Sequence, residues 1–414
     1  MLNSSGGLRR LQGLAQRYPR QLWVLFGGML ISAIGGSMVW PFLAIYIRQR
    51  LDVPLTTIGL LLSLNAAAGI IATFLVGPVA DRFGRKGVML ASLIANGLLY
   101  LTMTQAKELP LWAALMVLMG AIGPLFRVGS NAMVADLIEP QERAGAYALL
   151  RMSSNLGIAV GPAIGGFVAA VSYSSAFVAA AVAYAIFALL VLFLVGESLH
   201  RQPATTASAM ALGGYGPLLR DRLFLAFCTS ATLAVIPASM MVVLLPVYAK
   251  EQFNIIESQY GFIMATNAAM VVLFQYFVTQ RTKRHTSLPV LALGALFYGL
   301  GVGSVALGQS FGAFWLSMVI MTIGELIIAP TGTSFTANLS PPDMRGRYMG
   351  VYGLTWAVGM GIGPVIGGYL SDRIAPVAIW YSALVFGLIA ALAFLLLSRL
   401  APQPHREEAP PTRP

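Results

Sequence analysis

The sequence predicts an all-α integral membrane protein whose twelve transmembrane helices form two pseudo-symmetric six-helix halves. Three observations carry this. Hydrophobic residues make up 57% of the 414 and charged residues only 10%, with a mean hydropathy of +0.77, whereas soluble domains carry roughly 25% charge. The chain also superimposes on itself at a constant offset, the 202 residues from Gly161 to Gly363, which equally carries Tyr46 to Tyr248, Gly59 to Gly261, Asn65 to Asn267 and Pro140 to Pro342. A repeat that long is a duplicated multi-helix unit, the construction of many secondary transporters. Finally, the basic residues alternate from one connecting segment to the next.

Apolar stretches long enough for spans of about 20 residues fall at 23–47, 57–80, 88–104, 110–135, 145–171 and 173–196, then at 223–249, 257–279, 288–308, 311–338, 346–371 and 376–398. The organisation that follows is an N-terminal arm (1–22), a first half (23–196), a linker (197–222), a second half (223–398) and a tail (399–414). The linker breaks the apolar pattern with Glu197, His200, Arg201, Pro203, Gly213 and Gly214, and the tail is rich in proline and charge. Such a tail cannot bury enough apolar surface to order itself.

The net charge of +11 would suit an anionic partner such as nucleic acid, but its distribution argues otherwise. The arm, the even-to-odd loops, the linker and the tail hold all the Lys and Arg except Arg48, Arg50, Lys107, Lys250 and Arg373 on the other side, Arg127 within span four, and Arg151 and Arg347 near the starts of spans five and eleven. That is the positive-inside pattern, and it puts both termini in the cytoplasm, as for a multi-pass protein of a bacterial inner membrane. The apolar run after Arg20 is too long for a signal-peptide core, so span one reads as an uncleaved anchor.

A single cysteine, Cys228, rules out an intrachain disulfide and a thiolate metal cluster. His200, His285 and His405 all fall outside the spans, so no metal or cofactor site is expected. HExxH and P-loop patterns are missing, which argues against an enzyme and against ATP as the energy source.

Two motifs stand out. After span two comes Gly77-Pro78-Val79-Ala80-Asp81-Arg82-Phe83-Gly84-Arg85-Lys86, a tight turn through Gly84 that follows an acid with a base four residues later. In span five, Gly157, Gly161, Pro162, Gly165 and Gly166 form GxxxGPxxGG, and Gly359, Gly363, Pro364, Gly367 and Gly368 repeat the pattern in span eleven. Glycines four apart make a smooth groove for close helix approach, and the proline weakens the local backbone ladder. The first motif resembles the cytoplasmic-loop signature of the major facilitator superfamily, GxLaDRxGRK, with Val79 in the usual Leu place. The second resembles the pattern that marks antiporters and exporters in that family, although packing alone would account for it equally well.

The resemblance covers essentially the whole chain and implies a major facilitator fold that transports by alternating access. It further implies that Asp81 meets the start of span eleven, where a helix N-terminus attracts negative charge, as part of a gate formed with Gly77, Arg82, Gly84, Arg85 and Lys86. Span four matches the family's arginine motif only at Arg127, since Ser130 and Asn131 replace the usual Gln and Gly. Asp136, at the end of span four, is implied to exchange partners with Arg85; a plain helix-end carboxylate is the alternative.

Charges within the bilayer are costly and mark function. Glu325 lies near the middle of span ten, and Arg127 maps by the repeat onto Ala329, four residues or about 6 Å from it. Desolvation and a nearby Arg127 pull the charge state of Glu325 in opposite directions, which makes Glu325, Arg127 and Asp136 the proton-coupling candidates. The alternatives are a glutamate bonded for helix packing and an arginine that snorkels. With no histidine in the bilayer, protons are the expected coupling ion, and sodium stays open.

Met and aromatic side chains adapt to varied apolar partners, so Trp40, Phe42, Tyr46, Met240, Met241, Tyr248, Met318 and Met321 are read as cavity-lining. The expected activity is proton-coupled efflux of lipophilic small molecules, in line with similarity to multidrug exporters, by a monomer with no nucleic-acid partner. A lipid or glycolipid flippase on the same fold is the alternative, and a non-transporting receptor or scaffold a third class.

Overall fold

The computed structural model describes residues 17–198, 216–341 and 344–400. Most of the N-terminal arm, most of the linker and nearly all of the tail lie outside that set. Among the described residues every regular element is helical, and twelve helices are long and apolar enough to cross a membrane. They run Arg20–Leu51, Leu55–Val76, Arg85–Gln105, Leu109–Leu137, Gly145–Val171 and Tyr173–Leu194, then Arg222–Phe253, Glu257–Thr282, Ser287–Leu307, Phe311–Leu339, Arg345–Arg373 and Ala378–Leu400. The helices overrun the apolar stretches by several residues because hydrogen bonding continues into polar sequence after the hydrophobic segment ends. The helix of span two, for instance, continues to Phe83.

Proline shapes the spans locally. Span one tightens into a 3-10 turn at Trp40–Phe42, around Pro41, where the missing N–H interrupts the α-helical ladder. Pro124, Pro162, Pro237, Pro246, Pro330 and Pro364 stay inside their helices, as neighbouring helices permit in membrane spans.

The repeat in the sequence is a repeat of packing. In the first half span one packs on five and six, span two on four, and span three on four and six; in the second half span seven packs on eleven and twelve, span eight on ten, and span nine on ten and twelve. Two crossings make most of the contact between the halves, span two with eleven and span five with eight, and the repeat exchanges one for the other.

The two glycine motifs serve both purposes. A Cβ on Gly157 would lie 2.9 Å from the Leu30 carbonyl oxygen, and one on Gly161 2.7 Å from that of Ile34, both on span one. The equivalent Gly359 and Gly363 press on Val235, Ile236 and Ser239 of span seven. The last glycine of each motif points the other way. A Cβ on Gly166 would meet the Glu257 carbonyl oxygen at 2.7 Å, and one on Gly368 the Leu55 carbonyl carbon at 2.6 Å, each across the halves. Adding side chains therefore has separable effects. Gly161→Leu and Gly363→Leu overpack a half internally and are expected to cost about 1–3 kcal/mol, read as a lower thermal unfolding midpoint. Gly166→Leu and Gly368→Leu are expected instead to raise hydrogen exchange at residues 55–63 and 257–263 with a smaller loss of stability.

Candidate functional site

The face on which span one starts is here the terminal face, and among the described residues the polar contacts that join the halves gather toward the opposite face. There Arg48 Nε donates to Glu251 Oε1 across the halves at 3.1 Å. Asp372, at the end of span eleven, accepts from the backbone N–H of Leu55 at 3.2 Å, from that of Thr56 at 2.8 Å and from the Thr56 hydroxyl at 2.6 Å. Its carboxylate thus caps the open N-terminus of span two, where unpaired N–H groups and the helix dipole favour an anion.

The pseudo-equivalent crossing uses another device. Glu257 of span eight accepts hydrogen bonds from the Lys250 ammonium and from the Tyr173 hydroxyl of the other half. Lys250 also donates to the Tyr173 oxygen at 2.8 Å and sits 5.1 Å from its ring centroid. Deeper in, Ser63 Oγ donates to the Gly361 carbonyl at 2.6 Å. Phe42 meets Tyr260 edge-on.

The cores show the same asymmetry. One buried apolar cluster runs from Val39, Ile58 and Phe177 of the first half into Met241, Tyr260 and Phe314 of the second. The terminal-face end of the first half keeps a cluster of its own around Leu25, Met133 and Phe187. Among the described residues apolar packing is thus continuous across the halves near the opposite face and divided near the terminal face, which leaves a cleft between the halves there.

Arg127 and Glu325 stand on opposite walls of this arrangement and are not brought together. The Arg127 guanidinium is exposed, its Nη2 3.5 Å from the Thr73 hydroxyl of span two. Glu325 is half-buried and accepts from Asn267 Nδ2 of span eight at 2.7 Å; the same amide also donates to Thr322 Oγ1 at 3.0 Å. Each group is therefore held by neutral partners within its own half, and no ion pair joins the two. Asn267 was visible in the sequence only as one member of the repeat. Its counterpart Asn65 donates to the Met116 carbonyl of span four at 3.0 Å, so both asparagines tie the second helix of a half to the fourth.

Asp136 does meet Arg85, with Nε at 3.5 Å, and accepts from the Ser198 hydroxyl at 3.0 Å. The side chain of Asp81 and those of Gly77 and Pro78 lie outside the described residues, as does the expected contact of Asp81 with span eleven. Sequence reasoning missed Glu197, which it left in the linker. Its carboxylate accepts from the backbone N–H of Arg85 at 3.0 Å and of Lys86 at 3.1 Å, and so caps span three. Gly84 has φ 84°, the left-handed region that glycine tolerates best, and a Cβ there would run into that carboxylate.

The residues read as cavity-lining are mostly packed in the interior of this conformation. Phe42, Tyr46, Met240, Met241, Tyr248, Met318 and Met321 are all buried, and Trp40 is half-buried. Tyr46 packs on Phe177 with centroids 4.6 Å apart, and Tyr248 on Trp380 at 5.1 Å. The cause is that large apolar side chains serve core packing and ligand contact alike, and sequence gives no sign of which way a helix face turns. The exposed side chains on spans four and five include Arg127, Asn131, Arg151, Met152 and Asn155, a more polar set than expected.

The model of the Major Facilitator Superfamily matches residues 25–255 and 229–414. The chain belongs to that superfamily. It is a multi-pass membrane transporter rather than an enzyme. Among curated relatives, a Na(+), Li(+), K(+)/H(+) antiporter of Planococcus maritimus is 26% identical over 84% of this chain and 89% of its own length. The multidrug resistance protein MdtH of Escherichia coli is 24% identical over 91% and 92%. Among solved structures, a bacterial homolog of the human lysosomal transporter Spinster, in an inward-facing and occupied conformation, aligns with a TM-score of 0.77 at 15% identity, covering 92% of this chain and 96% of that one. A POT family transporter in complex with a thioalcohol-conjugated peptide gives 0.77 at 18% identity, with the same coverage. Those two likenesses concern the fold alone.

The seal at the opposite face of this facilitator rests strongly on Asp372. Asp372→Ala removes a helix cap, a change that costs about 0.5–2 kcal/mol. Hydrogen exchange at residues 55–63 and 361–372 is expected to rise several-fold while exchange at the centres of spans three and nine stays unchanged. Unaltered exchange at both ends would place the seal elsewhere.

Proposed function

We propose that this facilitator exports lipophilic small molecules from the cytoplasm in exchange for protons. One observation carries the reading: the mid-span carboxylate of Glu325 is held by the neutral amide of Asn267 and has no cationic partner among the described residues, so a change in its charge is not cancelled locally. An uncompensated charge at that depth is costly. Its protonation can therefore bias which face of the cleft is open.

Topology supports the outward direction. With 26 Lys and Arg against 15 Asp and Glu, and the basic excess gathered on the terminal face, the positive-inside rule assigns that face to the cytoplasm. The open cleft then takes up its cargo from inside the cell, and the spans belong in a bacterial inner membrane. Arg127, exposed in the cleft, repels cations near Thr73 and favours neutral or amphiphilic cargo on that wall. Asp136 and Arg85 act at the cytoplasmic mouth, where their contact is available to break as the mouth closes. The relatives named as an ion/proton antiporter and a multidrug resistance protein support exchange and drug-like cargo respectively, each at low identity.

The substitution Glu325→Gln keeps the shape and the acceptor for Asn267 but cannot titrate. It is expected to abolish uphill, pH-gradient-driven efflux of a lipophilic dye from inverted vesicles, to leave dye binding within about twofold, and to remove drug-induced proton release from the purified protein. A variant that retained gradient-driven efflux and proton release would move the coupling site elsewhere.

A further inference from the structure

A groove runs along the outer surface of the first half between spans three and six, with a volume of about 390 Å³. Its floor is made of Leu93, Gly97 and Ala188, all buried, and its rims of Leu98 and Leu189, more than half exposed. Gly97 keeps the floor low, for a Cβ there would already touch the Ala181 carbonyl oxygen and Tyr184. The groove extends from Leu90 and Leu192 at the terminal-face end to Leu101 and Ala181 at the other. The eleven helical rises from Leu90 to Leu101 span roughly 16 Å, close to half of the ~30 Å hydrocarbon core of a bilayer.

Any apolar helix face in a bilayer is covered by lipid, but this groove has a fixed charge at one end. Lys86 Nζ donates to the Leu192 carbonyl at 2.8 Å, which holds the ammonium at the mouth of the groove, one turn beyond Leu90. An ammonium has three donors, so two remain for a ligand. Arg82 is exposed nearby. Glu197, the acid facing this turn, is committed to the backbone N–H groups of Arg85 and Lys86, and Asp136 to Arg85 and Ser198.

We propose that this groove is a binding site for one anionic phospholipid, with an acyl chain lying between spans three and six and the phosphate against Lys86. The charge selects an anion, and the length and apolar lining select a chain of one leaflet's depth. The headgroup then touches the same turn that Glu197 caps, which ties the lipid to the loop joining spans two and three.

The test is native mass spectrometry of the purified full chain, titrated with phosphatidylglycerol and phosphatidylcholine of identical acyl chains. One lysine near an anionic headgroup is worth about fivefold in affinity, so phosphatidylglycerol is expected to bind about that much tighter. Lys86→Gln is expected to erase the preference while leaving phosphatidylcholine binding unchanged, and Ala185→Phe, which fills the groove, to weaken both lipids. A phosphatidylglycerol carrying a photoreactive acyl chain locates the site on the unmodified protein, with adducts expected in residues 90–101 and 181–192 whatever the variants do. Equal binding of the two lipids, an unchanged preference in Lys86→Gln, or adducts spread over the other spans would overturn the proposal. So would a dimer that Ala185→Phe converts to monomers, since the groove would then be an interface between copies.

Discussion

The structure depends on backbone-to-backbone contact at two pseudo-equivalent helix crossings. Span two meets eleven where Gly59 lies against Pro364, and span eight meets five where Gly261 lies against Pro162; a Cβ on Gly59 would stand 2.7 Å from the Pro364 carbonyl, and one on Gly261 3.1 Å from that of Pro162. Only a residue without a side chain admits that approach. Within a bilayer no hydrophobic driving force separates helix from lipid, so close packing of small residues and a few polar bonds must hold the halves together. Because both crossings sit toward one face, the halves are pinned there and free to part at the other.

The polar bonds at the pinned end differ between the two crossings although the helices repeat. Asp372 caps span two at one, while Lys250, Glu257 and Tyr173 form a cluster at the other. The duplicated backbone thus supplies the geometry, and unduplicated side chains lock it. That division suits a machine that must release the seal on each cycle, since a few hydrogen bonds worth about 0.5–1.5 kcal/mol each are easier to exchange than a repacked core.

The span count, the two halves and the packing role of the glycine motifs were legible in the sequence because each has a local or periodic signature. Apolar length marks the spans, a fixed offset marks the duplication, and four-residue spacing marks the grooves. What the grooves pack against was not legible: Gly165 turns to span one and Gly166, the next residue, to span eight, and only tertiary structure assigns those faces. That Tyr46, Met240 and Met318 are buried in packing contacts here was hidden from the sequence for the same reason. Glu197 went unrecognised because a capping carboxylate 112 residues from its donor leaves no pattern along the chain. Lys250 was read for topology alone, which hid its bond to Tyr173.

Alternation between the two faces is the central claim, and paired distances measure it most directly. In a chain with Cys228→Ser, spin labels at Gln141 and His285 report the terminal-face opening between the halves, and labels at Lys107 and Gln309 report the opposite face. Double electron–electron resonance across a pH series, with and without a lipophilic dye, is expected to show reciprocal changes, the terminal-face distance shortening by several ångström in the conditions that lengthen the opposite one. Distances that move together, or that stay fixed in protein that still transports, would contradict pivoting about the two glycine crossings.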